Sequence, residues 1–170
     1  MNLPGIWHSF EEDHLVQRLL FLAKMVERVS SRKLQAEFGI SVAQWRVLAF
    51  VCIQGPATGS MIGESAEIDP AEISRAVKTL IADGLVTRDF AQRSRKAKLV
   101  SPTEKGHALF LQIRDQRREY FGAITGFLGP EKRADINRSL ESIAEAVVAE
   151  RDLKPDGPAV SSHANTAVLE

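Results

Sequence analysis

The chain has 170 residues, with 22 basic and 22 acidic side chains and 44% hydrophobic residues. This length suits one sizeable core or two small ones, and the ordinary composition excludes collagen-like, disulfide-stapled and wholly disordered classes. The sequence contains no membrane-spanning apolar run and no secretory leader, so we expect a cytoplasmic protein. A single cysteine and four histidines without metal-ligand spacing predict no disulfide, metal or cofactor.

The positive charge is concentrated in one segment. Residues 75–98 contain seven basic and two acidic side chains, a net charge of plus five that the rest of the chain balances. A short positive segment on a neutral protein is typical of a surface that contacts phosphate. A solvated loop is the alternative. The predicted structure around the segment is needed to choose between these two interpretations.

The N-terminal part is predicted to be a mobile arm, residues 1–10, followed by a long amphipathic helix from Glu11 to Glu37. Apolar residues recur there every three or four positions. They are Leu15, Leu19, Leu22, Val26 and Val29. A helix of about 40 Å is longer than a core of this size requires, so we expect it to pack against a partner.

Three shorter helices are predicted next. A capping-box pattern at 41–44 opens the first, and a glycine and proline at 55–56 end it. The second is short and begins near Thr58. The third runs from Pro70 to about Asp83, because Asp69 suits the N-cap and proline suits the first helical position.

A β-hairpin is predicted after Gly84, which suits the left-handed position just past a helix. Its strands are 85–90 and 97–101, which have β-branched and alternating character, and residues 91–96 form a basic loop. Leu99 is expected on one face, with Lys98 and Val100 on the other.

Two further helices and a tail complete the chain. One helix runs from Pro102 to about Gly122 and has a capping-box pattern at 101–104. The other begins at Pro130 and repeats the apolar spacing. Its apolar residues are Ile136, Leu140, Ile143 and Val147. Residues 154–170 are predicted to be disordered, since proline, glycine and small polar residues follow no period.

The order of these elements predicts a winged helix-turn-helix: three helices, the last two joined by a tight turn, precede a basic hairpin. The helix from Pro70 is then the recognition helix, with Ile73, Val77 and Leu80 facing the core. Its remaining side chains are available to a DNA groove. They are Ala71, Glu72, Ser74, Arg75, Lys78 and Thr79.

These side chains suit base edges and phosphates. Arg75 can make two hydrogen bonds to guanine, whereas Lys78 and Thr79 suit phosphates or less selective edges. Glu72 has two possible roles, either closing the capping box with Asp69 or accepting from a cytosine amino group. The hairpin loop is predicted to lie beside the minor groove, with a solvated tip as the alternative. Its contact residues would be Arg93, Ser94, Arg95 and Lys96.

From Glu11 to Arg151 the chain resembles MarR-family (multiple antibiotic resistance regulator) transcription factors. The resemblance rests on a colinear set of residues: Thr58, Ile62, Ile73-Ser74-Arg75, Leu80, Gly84-Leu85-Val86 and Ser101-Pro102-Thr103-Glu104-Lys105-Gly106. It implies a mostly α (α+β) winged-helix homodimer that binds pseudo-palindromic operators. Residues 41–101 would be the DNA-binding lobe, and residues 11–40 with 102–153 would be the dimerisation region.

Three positions depart from the family pattern. The wing tip usually reads Asp-Arg-Arg, and the matching Ser94-Arg95-Lys96 lacks the acidic residue that braces an arginine. Gly63 stands in place of a better helix former, which should weaken the short helix by up to about 1 kcal/mol. Pro102 replaces an apolar residue. The last two changes are not expected to alter the fold.

Many members of the family bind small aromatic or anionic effectors between the dimerisation helices and the lobe. The resemblance therefore implies an effector site, for which the candidates are Trp7, His8, His14, Arg18, Trp45, Arg46, Arg114 and Arg118. Core packing is the simpler interpretation of Trp45, and an exposed or interface position that of His14, Arg114 and Arg118. Cys52 lies in an apolar run and is expected to pack as a small hydrophobe.

The leading hypothesis is a homodimeric, sequence-specific DNA-binding transcriptional regulator, expected to be a repressor that a small effector releases from its operator. The alternative is a ligand-independent architectural or anti-silencing DNA-binding protein. A module that binds only other proteins also stays open. An enzyme has no support in the sequence, which lacks a nucleophile elbow, a phosphate loop or a metal cluster.

Overall fold

The structure is a computed structural model that describes residues 3–9, 14–66, 68–91 and 94–152. A short 3-10 helix, Gly5–Ser9, precedes the helices and strands. The α-helices are α1 (Leu15–Phe38), α2 (Val42–Gln54), α3 (Gly59–Ala66), α4 (Pro70–Ala82), α5 (Glu104–Thr125) and α6 (Pro130–Asp152), and the strands are β1 (Val86–Ala91) and β2 (Ser94–Pro102). The chain divides into two compact units, Met1–Glu119 and Tyr120–Glu170. The predicted winged-helix element order is confirmed.

The helices of the lobe begin where their capping residues predict. Ser41 Oγ accepts from the Gln44 backbone N–H at 3.2 Å, and the Gln44 side chain accepts from the Ser41 N–H at 2.6 Å, so both halves of this capping box are formed. At the start of α3, Thr58 Oγ1 accepts from the backbone N–H of Met61. Both starts agree with the sequence prediction.

The core of the first unit lies among α2, α3, α4 and the hairpin. Its least exposed side chains are aliphatic: Val47, Leu48, Val51, Ile62, Leu80, Val86 and Val100. A second, smaller cluster joins α1 to α5 through Leu34, Ile40 and Ile113. Trp45 packs against both clusters, so the α1 side and the winged side of this unit are connected through α2.

The turn between α3 and α4 depends on a close backbone approach. The Ile68 N–H donates to the Gly63 carbonyl at 3.2 Å. A Cβ at Gly63 would lie 3.3 Å from the Ile68 carbonyl oxygen. The glycine that is unfavourable for helix propensity therefore leaves room for this turn.

The two strands pair antiparallel, from Val86 opposite Pro102 to Phe90 opposite Lys98. Ala57 adds two backbone hydrogen bonds to Val100, at 3.1 and 2.8 Å. Strand β2 is longer than predicted, because residues 94–96 and Pro102 belong to it, whereas β1 has the predicted length but is shifted by one residue to Val86–Ala91. The predicted loop at 91–96 was therefore too long. The alternation of residue types in this segment is too weak to show where a strand ends.

The start of α5 differs from the prediction by two residues. Pro102 ends β2 opposite Val86 instead of opening the helix. Thr103 takes the cap position: its hydroxyl accepts from the Gly106 N–H at 3.0 Å and donates to the Gly84 carbonyl at 2.7 Å. The capping-box assignment at 101–104 was wrong, because Ser101 and Pro102 resemble a helix start but belong to β2, where they pair with β1.

The predicted apolar stripe of α1 is largely uncovered in the protomer. Leu15, Leu22 and Val29 are exposed, and the buried residues of this helix are Ser30 and Leu34. Within the segment predicted as a mobile arm, residues 5–9 form the 3-10 helix, and the Trp7 ring centroid lies 6.3 Å from that of Phe21. Helix α1 begins at Leu15 with His14 at its N-cap, so the predicted start at Glu11 was too early, and residues 11–13 themselves lie outside the described residues.

In the second unit, α6 begins at Pro130 as predicted. Three of its four predicted stripe residues are exposed, and Ile143 is half-buried. Near the end of α5, the Thr125 hydroxyl donates to the Phe121 carbonyl at 3.0 Å. The predicted disordered tail, 154–170, lies outside the described residues.

Candidate nucleic-acid interface

Helix α4 separates a buried apolar face from an exposed polar face. Ile73, Val77 and Leu80 are buried as predicted, together with Ala76. Every side chain predicted to face a groove is exposed. These are Ala71, Glu72, Ser74, Arg75, Lys78 and Thr79. The helix therefore presents Arg75 and Lys78 outward from a rigid support, which is the arrangement that groove recognition requires.

The start of α4 tests one of the two roles predicted for Glu72, the closing of the capping box. Asp69 Oδ1 accepts from the backbone N–H of Ala71 at 2.8 Å and of Glu72 at 3.3 Å. Within the described part of the chain, the Glu72 carboxylate receives no hydrogen bond from the Asp69 backbone, so the reciprocal half of the capping box is not formed. Asp69 therefore caps the helix, and the side chain of Glu72 takes no part in the cap.

The flank of α4 that carries Glu72 forms a shallow concavity with the start of α2. Its volume is about 380 Å³, and it is lined by Gly39, Ser41, Ala43, Gln44, Glu72, Arg75, Ala76 and Thr79. On the other flank, Ser74 lines a separate groove with Arg88 of β1. The recognition helix therefore lies between two concave surfaces, of which the one beside Arg88 is mostly apolar.

The tip of the hairpin lies mostly outside what the structure describes. Arg93 is not described, and the side chains of Ser94, Arg95 and Lys96 are not described either. Their predicted contacts with DNA stay predictions.

Two basic residues of the hairpin strands were not among the predicted contacts. Lys98 and Arg88 are exposed, and Lys98 Nζ lies 5.2 Å from the centroid of the Phe90 ring, its cross-strand neighbour. Both lie in the positive segment of the sequence, which is the signal that would have found them. The pairing of Lys98 with Phe90 follows from the register of the strands, which the sequence alone does not specify.

A cleft of about 460 Å³ lies in the first unit between α1, α2 and α5. Its lining is mostly apolar and includes two of the predicted effector residues, Trp45 and Arg46. The other lining residues are Leu19, Leu22, Ala23, Val26, Glu27, Ser30, Val42 and Arg117. An apolar cleft with a few polar groups is the usual form of a small-molecule site.

The cationic wall of this cleft has an ordered set of partners. Arg117 donates to Ser30 Oγ, and its guanidinium carbon lies 5.5 Å from the centroid of the Trp45 ring. Burial, with a smaller effect of the nearby Arg46, lowers the pKa of Arg117 below its ordinary value. Arg46 pairs with Glu27 at 3.4 Å. Arg117 was missed in the sequence because its helix has no pattern that distinguishes it from Arg114 and Arg118.

The remaining predicted effector residues do not line this cleft in the described structure. Trp7 lies beside Phe21, and His14 is at the N-cap of α1. Arg114 and Arg118 both face Asp115, at 2.8 and 4.0 Å, on the surface of α5. Arg18 is half-buried on α1, and the side chain of His8 is not described. Trp45 is both a packing residue, stacked on Phe110, and a cleft residue.

Cys52 is packed against the lobe core, as predicted. Burial raises the pKa of its thiol to about 11, so the thiol stays protonated near neutral pH and is a poor nucleophile.

Among the described residues, no group of three or more His, Cys, Asp or Glu side chains could hold a metal ion. In the same residues, no single helix has both the length and the hydropathy to cross a membrane. Helices α1 and α2 meet that test only as a pair, joined across a bend of 79°.

The comparisons with known families identify the winged part of the chain. Residues 38–97 match the model of the MarR family. The winged lobe is therefore similar to the MarR family. A comparison with curated proteins found no similar sequence.

Solved MarR-family structures have the same fold. A MarR/EmrR family regulator from Acinetobacter sp. ADP1 is 19% identical, with a TM-score of 0.73 over 81% of this chain and 97% of the other. A putative MarR family regulator from Listeria monocytogenes, complexed with 26mer DNA, is 18% identical, with a TM-score of 0.72 over 84% and 97%. A MarR family regulator from Rhodococcus sp. RHA1 is 24% identical, with a TM-score of 0.69 over 79% and 95%.

Proposed function

We propose that the chain is a cytoplasmic, homodimeric DNA-binding transcriptional regulator whose α4 helices read the two halves of a pseudo-palindromic operator. The observation that carries the proposal is the exposed polar face of α4, led by Arg75 and supported on a buried aliphatic stripe. The MarR-family match of the lobe and the DNA-bound relative from Listeria monocytogenes support it. The DNA contacts are the α4 side chains Ala71, Glu72, Ser74, Arg75, Lys78 and Thr79 and the wing residues Arg93, Ser94, Arg95 and Lys96.

The homodimer part of the proposal rests on apolar surface that the protomer leaves uncovered. In α1 these residues are Leu15, Val16, Leu20, Leu22 and Val29, and in α6 they are Ile136, Leu140, Val147 and Val148. Exposed apolar residues in this number are typical of an interface. A symmetric pair would present two α4 helices to half-sites about 34–36 Å apart.

The regulatory part of the proposal is release from DNA by a small aromatic or anionic effector. The cleft beside Trp45, Arg46 and Arg117 is the site, because apolar walls and cationic groups meet there. The effector favours a dimer whose two α4 helices no longer match the half-site spacing, so DNA affinity falls without covalent chemistry. The resulting activity is that of a repressor.

Selection of bound duplexes from a randomised library tests the DNA-binding part. The wild-type protein should enrich a sequence with two-fold symmetry. Arg75→Ala should weaken binding to that sequence by about 1–3 kcal/mol and relax the preference at one base pair of each half-site. Arg95→Ala should instead weaken binding to all sequences and lower the salt slope by about one.

Lys132→Ala is the control for the loss of one positive charge, because Lys132 is exposed on α6, a helix that is not part of the lobe. Its affinity and sequence preference should equal those of the wild type. Unchanged preference in Arg75→Ala would show that Arg75 does not read a base pair.

Thermal unfolding in the presence of small molecules tests the effector part. A ligand of the native dimer raises the melting temperature in proportion to RT ln(1 + [L]/Kd). The probes are sets of aromatic carboxylates, acyl compounds and dicarboxylates. A hit should lose its effect in Arg46→Gln and keep it in Arg32→Gln, an exposed α1 variant that does not line the cleft. A complete absence of hits would favour the architectural alternative.

A further inference from the structure

The Glu72 carboxylate is exposed and available at the start of the recognition helix. Asp69 alone caps the first turn of α4, through its bonds to the backbone of Ala71 and Glu72. Within the described part of the chain, the carboxylate of Glu72 has neither a hydrogen bond nor an ion pair. The attraction of the helix dipole for a first-turn anion is modest. The fold therefore makes little use of this side chain.

The neighbours of Glu72 are the residues that would face the operator. Glu72, Arg75 and Thr79 lie on one flank of α4 and line the same concavity beside the start of α2. Residues three apart on a helix are surface neighbours. Even so, no salt bridge joins Glu72 to Arg75 in the described structure, so each side chain is available to a separate partner.

A carboxylate at this position restricts the partner to a base edge. Phosphates repel it, so it lowers the affinity for DNA in general. In the major groove only the amino groups of cytosine and adenine donate hydrogen bonds. Adenine is read best by a group that both donates and accepts, which a carboxylate does not do. The cytosine amino group is the partner that fits.

We propose that Glu72 accepts a hydrogen bond from the N4 amino group of one cytosine in each operator half-site, at a base pair separate from the one that Arg75 reads. This inference rests on the proposed DNA-binding function. At every other sequence the negative charge repels phosphate without the compensating hydrogen bond to cytosine. Glu72 is therefore a specificity-determining residue more than a source of affinity.

Library selection with the wild type, Glu72→Ala and Arg75→Ala tests this inference. Glu72→Ala should lose the preference for one C·G pair in each half-site and keep the position lost in Arg75→Ala. On the duplex selected by the wild type, replacing that C·G pair by T·A should weaken the wild type by about 5- to 150-fold and leave Glu72→Ala nearly unchanged. Glu72→Ala should also bind unrelated duplex DNA more tightly than the wild type does.

Glu131→Ala is the matched control, because Glu131 is an exposed carboxylate in the first turn of α6, outside the lobe. It should keep the selected sequence. An identical sequence preference in Glu72→Ala and the wild type overturns the inference. It is also overturned if both variants lose the same position, because Glu72 would then act only by positioning Arg75. If the wild type enriches no sequence at all, the proposed function itself fails, and this inference fails with it.

Discussion

Gly106 and Gly122 lie on the same helix, α5, but their surroundings differ. A Cβ at Gly106 would lie 1.9 Å from the Leu85 carbonyl oxygen and 2.9 Å from its carbonyl carbon. A Cβ at Gly122 would meet nothing within 4 Å. The first glycine is required by a close approach of two backbones, whereas the second only weakens its helix.

We therefore expect opposite effects of the same substitution. Gly106→Ala should destabilise the protein by about 1–3 kcal/mol or more, because backbone has to move to remove the clash. Gly122→Ala should stabilise it by up to about 1 kcal/mol. Urea unfolding at one fixed protomer concentration measures both, since the stability of a dimer depends on concentration. Wild-type stability in Gly106→Ala would mean that α5 does not pack on Leu85 as described.

Single residues also mark the limit of what the sequence predicts at the interface. The exposed face of α4 follows from helical periodicity, and the six residues predicted to face a DNA groove are exposed. The role of Glu72 was left open because the spacing fits a capping box whether or not the side chain closes it. Arg117 was missed because its importance comes from Ser30 and Trp45, which lie far away in the sequence.

At the scale of elements, local signals predicted the starts of α2, α3, α4 and α6. Each of these starts is set by residues within one helical turn, through a cap or a first-turn proline. The start of α5 was misplaced because Pro102 pairs with Val86, sixteen positions earlier, and that pairing is not a local property. The ends of the hairpin strands were misplaced for the same reason. The exposed stripe of α1 was consistent with the expected partner, which the protomer alone does not contain.

At the scale of the whole molecule, the uncovered apolar residues of α1 make assembly testable. Leu20 is 60% exposed. A lysine there would be buried without a partner at a dimer interface, so Leu20→Lys should convert dimers to monomers and weaken binding to a two-fold symmetric duplex. Light scattering at micromolar concentration measures the mass, and a mobility shift measures the binding.

Gln35→Lys is the control for this substitution, because Gln35 is an exposed polar residue on the same helix. It should keep both the mass and the binding of the wild type. A monomeric wild-type protein, or a Leu20→Lys variant that stays dimeric, would contradict the proposed interface.

The base of the wing is fastened to the end of α4 by α5. Thr103 and Lys105, at the start of α5, donate to the Gly84 and Asp83 carbonyls, and the Thr103 N–H donates to the Leu85 carbonyl. These hydrogen bonds hold the end of α4, the base of the hairpin and the first turn of α5 together as one rigid unit. Such a unit resists changes in the angle between helix and wing. Under the proposed function, an effector would then change the distance between the two α4 helices of the dimer and leave the structure around each helix unchanged.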